Sequence, residues 1–389
     1  MDFRPWGYDH HILADFTDDG TDVHGYALRA QHSLGLAFRY FTDVRIGGNL
    51  TFVKTGAGKL TVSTTAKQTY TGMTEIRDGT LRTTVNGVDY EPFGHATVEN
   101  LRDIDVMSGA TFEIANSWYT IYRLVLHGGT VVFDYDNNNS GGYHGCIFGA
   151  TRLLDDSYFV AKTKARPHFW STHTLDLGGH VLDVTMASGV TFDLGGVGAV
   201  GSTITNGMIR VSGGTLHTDK FKNIAMNAKT VKLQVSCALN IESIRALDIG
   251  DYEALYTGTS NAGTGALNVY RTFKPVSTNF YGPTMQDGST MDLRAWPESA
   301  GWPLASGFKT GATNVQFAAH STVNVNLAGR SDLMALAKSN EPYIVTWNSA
   351  PSDVAFKLDA ETAMLGFKLR PRAEGLRLER LKGIVVIVK

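Results

Sequence analysis

The chain has 389 residues and is rich in two residue types, with 42 Gly and 41 Thr. Threonine is β-branched and favours strands, whereas glycine supplies the positive φ angles of tight turns, so this composition is typical of an all-β protein with many sharp corners. A hydrophobic content of 43% excludes a disordered chain, and a formal net charge of −2 gives no basic surface for a nucleic acid or an anionic membrane.

Residues 1–45 are predicted to form an N-terminal cap, because they start polar and then alternate through LGLAFRYF. A solenoid needs such a cap, since the strand edges at its end are otherwise unpaired. The first residues are acidic and lack the apolar core of a secretory signal peptide, and no apolar run is long enough to cross a bilayer. The chain is therefore expected either to stay in the cytoplasm or to be a fragment that lacks its signal peptide.

Within this cap, the sequence DFTDDGTD holds four carboxylates around a glycine, those of Asp15, Asp18, Asp19 and Asp22. Calcium takes six to eight oxygen ligands, and the spacing lacks the terminal bidentate Glu of a helix-loop-helix calcium site. An acidic turn is the first interpretation and a calcium site the alternative. No other cofactor is predicted.

The segment from Leu50 to Leu81 reads LTFVKTGAGKLTVSTTAKQTYTGMTEIRDGTL. Its alternation predicts three short strands, with corners at Gly56, Gly58 and Gly72. The segment closely resembles the autotransporter-associated β-strand repeat, a unit of bacterial surface passengers. The matching residues are Lys54, Gly56, Gly58, Leu60, Thr61, Ser63, Tyr70, Gly72, Thr74, Ile76, Gly79 and Leu81.

This resemblance implies a passenger-like right-handed parallel β-helix that is displayed outside a bacterial cell. It covers one clear repeat, and such repeats serve as scaffold and carry no catalytic motif. The expected localisation is therefore extracellular or at the cell surface.

A short phrase recurs along the chain: a small residue, then Thr, then a large apolar residue. Its Thr stands at positions 80, 111, 130, 191, 215, 290 and 322, so the shorter steps are 31, 19, 24 and 32 residues. Units of this length cannot fold alone but suit one coil of a solenoid. We therefore predict a right-handed parallel β-helix over residues 46–340. The alternative is a sandwich or barrel in which the phrase marks hairpins.

The stretch 135–172 breaks this pattern and is predicted to be a loop that leaves the solenoid. It holds a dense set of reactive side chains, among them His144, Asp155, Asp156 and Arg166. A glycoside hydrolase needs two carboxyl groups at the sugar bond, and a lyase needs a base with acidic calcium ligands. A catalytic site here is the alternative, and a solvated loop that docks on the coils is the first interpretation.

Three features follow towards the C-terminus. Trp296 and Trp302 lie among Pro and Gly in a predicted loop, where the indoles would either stack on a sugar or pack on the core.

Residues 332–338 are the one predicted helix, with Ser331 as its N-cap. Residues 341–389 are predicted to form an antiparallel β cap, because YIVTW, VAFKL, GFKLR, LRLER and GIVVIV follow one another closely.

The two cysteines, Cys146 and Cys237, are predicted either to form one bridge or to stay reduced in the core.

Two hypotheses for function come from different classes. The first is a structural or adhesive module without catalysis, with a host or matrix glycan or protein as its partner. The alternative is a carbohydrate-active β-helix protein, either a lyase or hydrolase or a glycan-binding module. No nucleic acid and no membrane insertion are expected.

Overall fold

A computed structural model of the chain describes residues 2–3, 15–16, 26–31, 38–41, 45–48, 50–62, 69–70, 72–84, 103–115, 119–135, 146–162, 165, 167–169, 174–194, 203–218, 228–241, 246–254, 266–274, 283–293, 315–328, 343–347 and 349–381. These residues fall into two compact units, 1–226 and 227–389. Parallel strands dominate both units, which confirms the predicted all-β parallel β-helix.

The strands of the first unit are short, as the many corners predict. They are β1 (Asp2–Phe3), β2 (Asp15–Phe16), β3 (Tyr26–Gln31), β4 (Phe38–Phe41), β5 (Arg45–Gly48), β6 (Leu50–Thr55), β7 (Lys59–Val62), β8 (Thr69–Tyr70), β9 (Thr74–Ile76), β10 (Thr80–Thr83), β11 (Asp103–Met107), β12 (Thr111–Ile114), β13 (Tyr119–His127), β14 (Thr130–Asp134), β15 (Cys146–Asp155), β16 (Ser157–Lys162), β17 (His168–Phe169), β18 (Thr174–Asp176), β19 (Val181–Met186), β20 (Thr191–Asp193), β21 (Thr203–Thr205) and β22 (Gly207–Thr218).

Among the described strands of the first unit, each pairs in parallel with its counterpart one coil later and not with the strand that follows it in the chain. One ladder, called here the first ladder, runs β1–β3–β6–β9–β11–β13–β15. The second ladder runs β4–β7–β10–β12–β14–β16–β19–β22. A third parallel group is β2–β5–β8. This pairing excludes the hairpin interpretation of the repeated phrase.

The core of the first unit is a set of apolar stacks that run from coil to coil. On the second ladder one inward position is occupied in consecutive coils by Leu60, Leu81, Phe112, Val131, Phe159, Val184 and Val211, all buried. Phe133 contacts Phe159 edge to face with ring centroids 5.4 Å apart. Each coil is too small to bury these side chains alone, so the stacking of coils stabilises the unit.

The repeated phrase marks the same structural position in successive coils. Thr80, Thr111 and Thr130 are direct partners on the second ladder, and Thr191 is the partner of Thr215. The steps of 31, 19 and 24 residues each correspond to one coil, which confirms the predicted unit.

The predicted loop over residues 135–172 is wrong for residues 146–162, and residues 136–145 lie outside the described residues. β15 continues the first ladder and β16 continues the second, and Tyr158 takes the position of Thr130 one coil earlier. The corner here carries Asp156 and Ser157 where the preceding coil has Gly128 and Gly129, so the phrase is absent although the coil is present.

The second unit repeats the architecture. Its strands are β23 (Ala228–Ile241), β24 (Ala246–Ala254), β25 (Ala266–Lys274), β26 (Thr284–Met285), β27 (Thr290–Asp292), β28 (Gln316–Phe317), β29 (Thr322–Val325), β30 (Tyr343–Thr346), β31 (Ala355–Leu358), β32 (Phe367–Arg372) and β33 (Gly375–Arg380). One inward stack, in register from β23 to β29, is Leu233, Tyr252, Phe273, Met291 and Val323. Thr290 is the partner of Thr322, as the phrase predicts.

Three of the described strands in the predicted C-terminal cap are antiparallel, and the GIVVIV segment lies outside the described residues. β30 and β32 both pair with β33 in antiparallel fashion. β31, part of the VAFKL segment, pairs in parallel with β29, so the prediction was wrong for this strand. The segment follows a corner at Asp353, which has a φ of 63°, and this turn places β31 on the ladder of β29.

One helix is described, α1 (Ala360–Met364), and the sequence reasoning missed it. Asp359 caps it by accepting a 2.8 Å hydrogen bond from the Thr362 N–H, and a second from the Leu327 N–H at 2.9 Å. These bonds to the carboxylate lower the pKa of Asp359 against the effect of its desolvation. The predicted helix over 332–338 lies outside the described residues.

Candidate functional site

The repeat segment at 50–81 is built around a fully buried lysine. The Lys54 ammonium donates to three backbone carbonyls, those of Thr55 at 3.0 Å, Gly56 at 2.6 Å and Asp78 at 2.9 Å. Burial lowers the pKa of Lys54 to about 8, and the nearby Asp78 partly opposes this shift. Lys54 therefore links two coils at a corner, and its buried ammonium is not accessible to a ligand.

Glycine is required at the same corner. Gly79 has a φ of +65°, and a Cβ built there would lie 2.4 Å from the Gly56 carbonyl oxygen and 2.5 Å from that of Gly58. Nearby, the buried Tyr70 and Thr74 hydroxyls share a hydrogen bond. The residues that carry the resemblance thus hold the coil in shape.

Most of the predicted site residues fall on parts of the chain that the structure does not describe. His144, Arg166, Trp296, Trp302, Asp18, Asp19 and Asp22 lie outside the described residues, and of Asp15 only the backbone in β2 is described. The catalytic alternative is therefore examined through Asp155 and Asp156 alone.

Asp155 ends β15 and Asp156 forms the corner before β16. Both side chains are exposed, and the chain brings His180 beside them from the next coil. The Oδ1 of Asp156 accepts a 2.9 Å hydrogen bond from the Val181 N–H and lies 3.7 Å from the His180 Nδ1. The Oδ1 of Asp155 accepts from the Asp156 N–H at 2.8 Å. We call Asp155, Asp156 and His180 the acidic corner.

Beside the acidic corner, Ser157 links the backbone of two consecutive coils. Its hydroxyl donates to the Asp155 carbonyl at 2.8 Å and accepts from the Gly128 N–H at 3.2 Å. The corner is therefore fixed by backbone hydrogen bonds that do not depend on the two carboxylates.

Charged side chains on the outer face of the second ladder pair across the coils. Glu113 accepts from Arg82 and lies 2.6 Å from the Lys59 ammonium. Arg82 also lies 3.7 Å from Asp134, which faces Lys162 at 3.9 Å. Further along, both carboxylate oxygens of Asp183 accept from one Arg210 nitrogen at 2.9 Å. These ion pairs stabilise the alignment of neighbouring coils.

The outer face of the first ladder also carries acids that pair with basic residues. Asp103 lies 2.7 Å from the Arg123 guanidinium, and Asp105 lies 3.4 Å from the His127 Nε2. Burial raises the pKa of the Asp105 carboxyl, while the nearby His127 opposes the rise.

A buried imidazole–carboxylate pair lies further along the first unit. The His217 Nδ1 is 2.5 Å from the Asp193 Oδ1, and both residues are buried. Asp193 is the partner of His217 in the ladder and of His168 in the preceding coil. Sequence reasoning missed this pair, and only the register of the phrase at Thr191 and Thr215 could have found it.

In the second unit an exposed imidazole stands between two carboxylates on consecutive corners. The His320 Nδ1 lies 2.8 Å from the Asp287 Oδ1, and its Nε2 lies 3.8 Å from the Asp353 Oδ2. The hydrogen bond to Asp287 is the main cause that raises the pKa of His320.

Cys237 is a buried thiol, in agreement with the second of the two predictions, that of reduced cysteines in the core; the side chain of Cys146 lies outside the described residues. No helix in the described part of the chain is long and apolar enough to cross a membrane.

Comparisons with known proteins give no relative from which a role could be transferred. No protein-family model, no curated protein and no solved structure matches the chain.

Proposed function

We propose that this chain is a structural or adhesive β-helix module, without catalysis, that is displayed outside a bacterial cell. The observation that carries the proposal is the role of the repeat residues: Lys54 and Gly79 hold two coils together, and the buried Tyr70–Thr74 hydrogen bond stabilises the shape of one coil. A segment whose distinctive residues are buried in this way serves as scaffold, and function then lies on the outward side chains.

The outward side chains support the same role. Glu113, Asp134 and Asp183 each pair with a basic residue of another coil, which gives a rigid face of regularly spaced polar groups. Such a face fits a glycan or a protein of a host or of an extracellular matrix, with contacts repeated from coil to coil. Secretion and surface display belong to this proposal through the resemblance at residues 50–81.

A glycan-binding module is the second candidate, and one observation favours it. The Tyr158 side chain is 44% exposed on β16, and its partners in the neighbouring coils are Thr130 and Asp183. An exposed aromatic ring beside hydroxyl and carboxylate groups can stack on a sugar while the polar groups accept its hydroxyl protons.

The test is a glycan array combined with a reducing-end release assay on polysaccharides and an adhesion assay on immobilised matrix proteins. The structural or adhesive proposal expects binding in the adhesion assay and no release of reducing ends. Release of reducing ends would contradict it. Glycan binding that is lost in Tyr158→Ala, with an unchanged urea midpoint, would favour the second candidate.

A further inference from the structure

We propose that the acidic corner, formed by Asp155, Asp156 and His180, binds a divalent cation of the zinc type. The three side chains each offer one ligand atom, and these atoms all lie within 4.8 Å of one another. Among the described residues this is the one group of three or more carboxylate, imidazole or thiol side chains that meets this condition. The site is independent of the proposed adhesive role.

The solenoid register brings these ligands together from two consecutive coils. Ser157 is the partner of Leu182, so the corner that precedes β16 lies beside the corner that precedes β19. His180 thereby approaches two aspartates that stand about one coil earlier in the sequence. Backbone pairing already holds the three ligand residues close to one another. The entropy that the chain loses when it binds a cation is therefore small.

The distance between the imidazole and the carboxylate fits shared ligation better than a hydrogen bond. The His180 Nδ1 and the Asp156 Oδ1 are 3.7 Å apart, which is beyond hydrogen-bond range. Two ligands bound at about 2.1 Å to one tetrahedral zinc ion are separated by about 3.4 Å. Small rotations of the two side chains, which shorten the distance between these two atoms by a few tenths of an ångström, bring them to that separation.

Backbone N–H groups already orient both carboxylates. The Val181 N–H donates to the Oδ1 of Asp156 at 2.9 Å, and the Asp156 N–H donates to the Oδ1 of Asp155 at 2.8 Å. Each bond takes one lone pair of the carboxylate and leaves the second lone pair of that oxygen, as well as the other oxygen, to bind the cation. Hydrogen bonds of this kind behind the ligands are typical of metal sites and strengthen them.

The donor set selects the class of cation. Two carboxylates and one imidazole suit zinc and similar divalent transition metals, whereas calcium takes six to eight oxygen ligands and has little use for a nitrogen. The Asp156 side chain is 56% exposed, so water fills the remaining coordination position. The bound ion would join β15 and β19 at the surface of the first unit.

The experiment is a calorimetric titration of the full chain with zinc chloride after treatment with a chelator and its removal. The wild-type chain should bind zinc, and His180→Ala and Asp156→Asn should each lose one equivalent or bind it about tenfold or more weakly. Both variants keep the backbone of the corner, since the Met208 N–H bonds the His180 carbonyl and Asn retains an acceptor oxygen for Val181.

His320→Ala is the matched control, because it removes another imidazole that faces two carboxylates, in the second unit. Its zinc stoichiometry and affinity should equal those of the wild-type chain, and calcium chloride should give no heat at this site. The proposal is overturned if the wild-type chain binds no zinc, or if His180→Ala binds it with unchanged stoichiometry and affinity.

Discussion

Two corners of the first unit carry glycine at nearly the same backbone angle, yet their surroundings differ. At Gly79 the φ is +65° and an added Cβ would collide with the backbone of the preceding coil. At Gly109 the φ is +77° and no atom lies within 4 Å of an added Cβ. We call the first, formed by Lys54, Gly56, Gly58, Asp78 and Gly79, the closed corner, and corners such as that at Gly109 open corners.

The comparison teaches that local conformation and packing constrain a corner separately. A positive φ favours glycine at both positions, but only the closed corner also forbids a side chain. Where the corner is open, the solenoid can carry polar groups at its surface. The surface pair of Asp287 and His320 in the second unit lies at such a place, because an added Cβ at Gly288 would meet no atom within 4 Å.

The largest effect is expected from alanine at the closed corner. Gly79→Ala adds backbone strain and a collision with two carbonyl oxygens, so it should reduce the free energy of unfolding by about 3 kcal/mol or more. Gly109→Ala, the matched control, adds the strain alone and should cost about 1 kcal/mol. Urea midpoints measure both changes. Equal losses in the two variants would contradict the distinction between closed and open corners.

The next effect concerns Lys54 and the pH dependence of stability. Its folded pKa of about 8 lies below the ordinary value of 10.5, so between these pH values the unfolded chain binds more protons than the folded chain. The destabilising charge is present below pH 8 and is removed as the pH rises. The free energy of unfolding should therefore rise by up to about 3 kcal/mol over this window, relative to Lys54→Met.

Comparison with Lys54→Met cancels the titration of other groups, because the variant removes only the buried amine. Urea unfolding of both proteins at about pH 7.5, 9 and 10.5, roughly the start, middle and end of the window, gives the difference. A difference that stays constant or falls with pH would show that the amine is not held in a desolvated state.

A smaller effect is expected at the acidic corner of the chelator-treated protein. Asp156→Ala removes the acceptor of the Val181 N–H and should cost about 1 kcal/mol of unfolding free energy. Asp156→Asn keeps an acceptor oxygen and should change stability by less than about 0.5 kcal/mol. Thermal unfolding in the presence of the chelator separates the two. A loss in the Asn variant as large as in the Ala variant would mean that the charge, and not the hydrogen bond, stabilises this corner.

The smallest effect is a shift in the titration of His320, which is best followed by NMR. Asp287 is the main cause of the raised pKa, so Asp287→Asn should return the pKa towards its ordinary value of 6.5. Asp353→Asn should lower it less, because its carboxylate is 3.8 Å from the ring. Since the folded pKa is raised, the stabilisation from this pairing is complete below about pH 6.5 and is lost as the pH rises through the folded pKa. The reverse order of the two variants would contradict the assignment.

Several features of the fold follow from residues that the sequence shows directly. Alternation and the repeated phrase predict parallel coils, and the partners Thr80, Thr111 and Thr130 confirm that phrase and coil coincide. The coil at 146–162 was not predicted, because its corner carries Asp156 and Ser157 in place of glycine. The alternation of buried and exposed residues in β16 is nevertheless present. The short helix α1 was not predicted, because its cap Asp359 accepts a second hydrogen bond from the N–H of Leu327, a residue distant in the sequence.

The sequence by itself determined the all-β class, the length of a coil and the positions of its corners, because strand alternation and turn geometry depend on neighbouring residues. Only the tertiary structure decided which side chains of different coils meet. The lengths of the connections fix the register, and the register brings His180 to Asp156, His217 to Asp193 and the Lys54 amine to the Asp78 carbonyl. Contacts of this kind depend on the stacking of whole coils, so no local pattern encodes them.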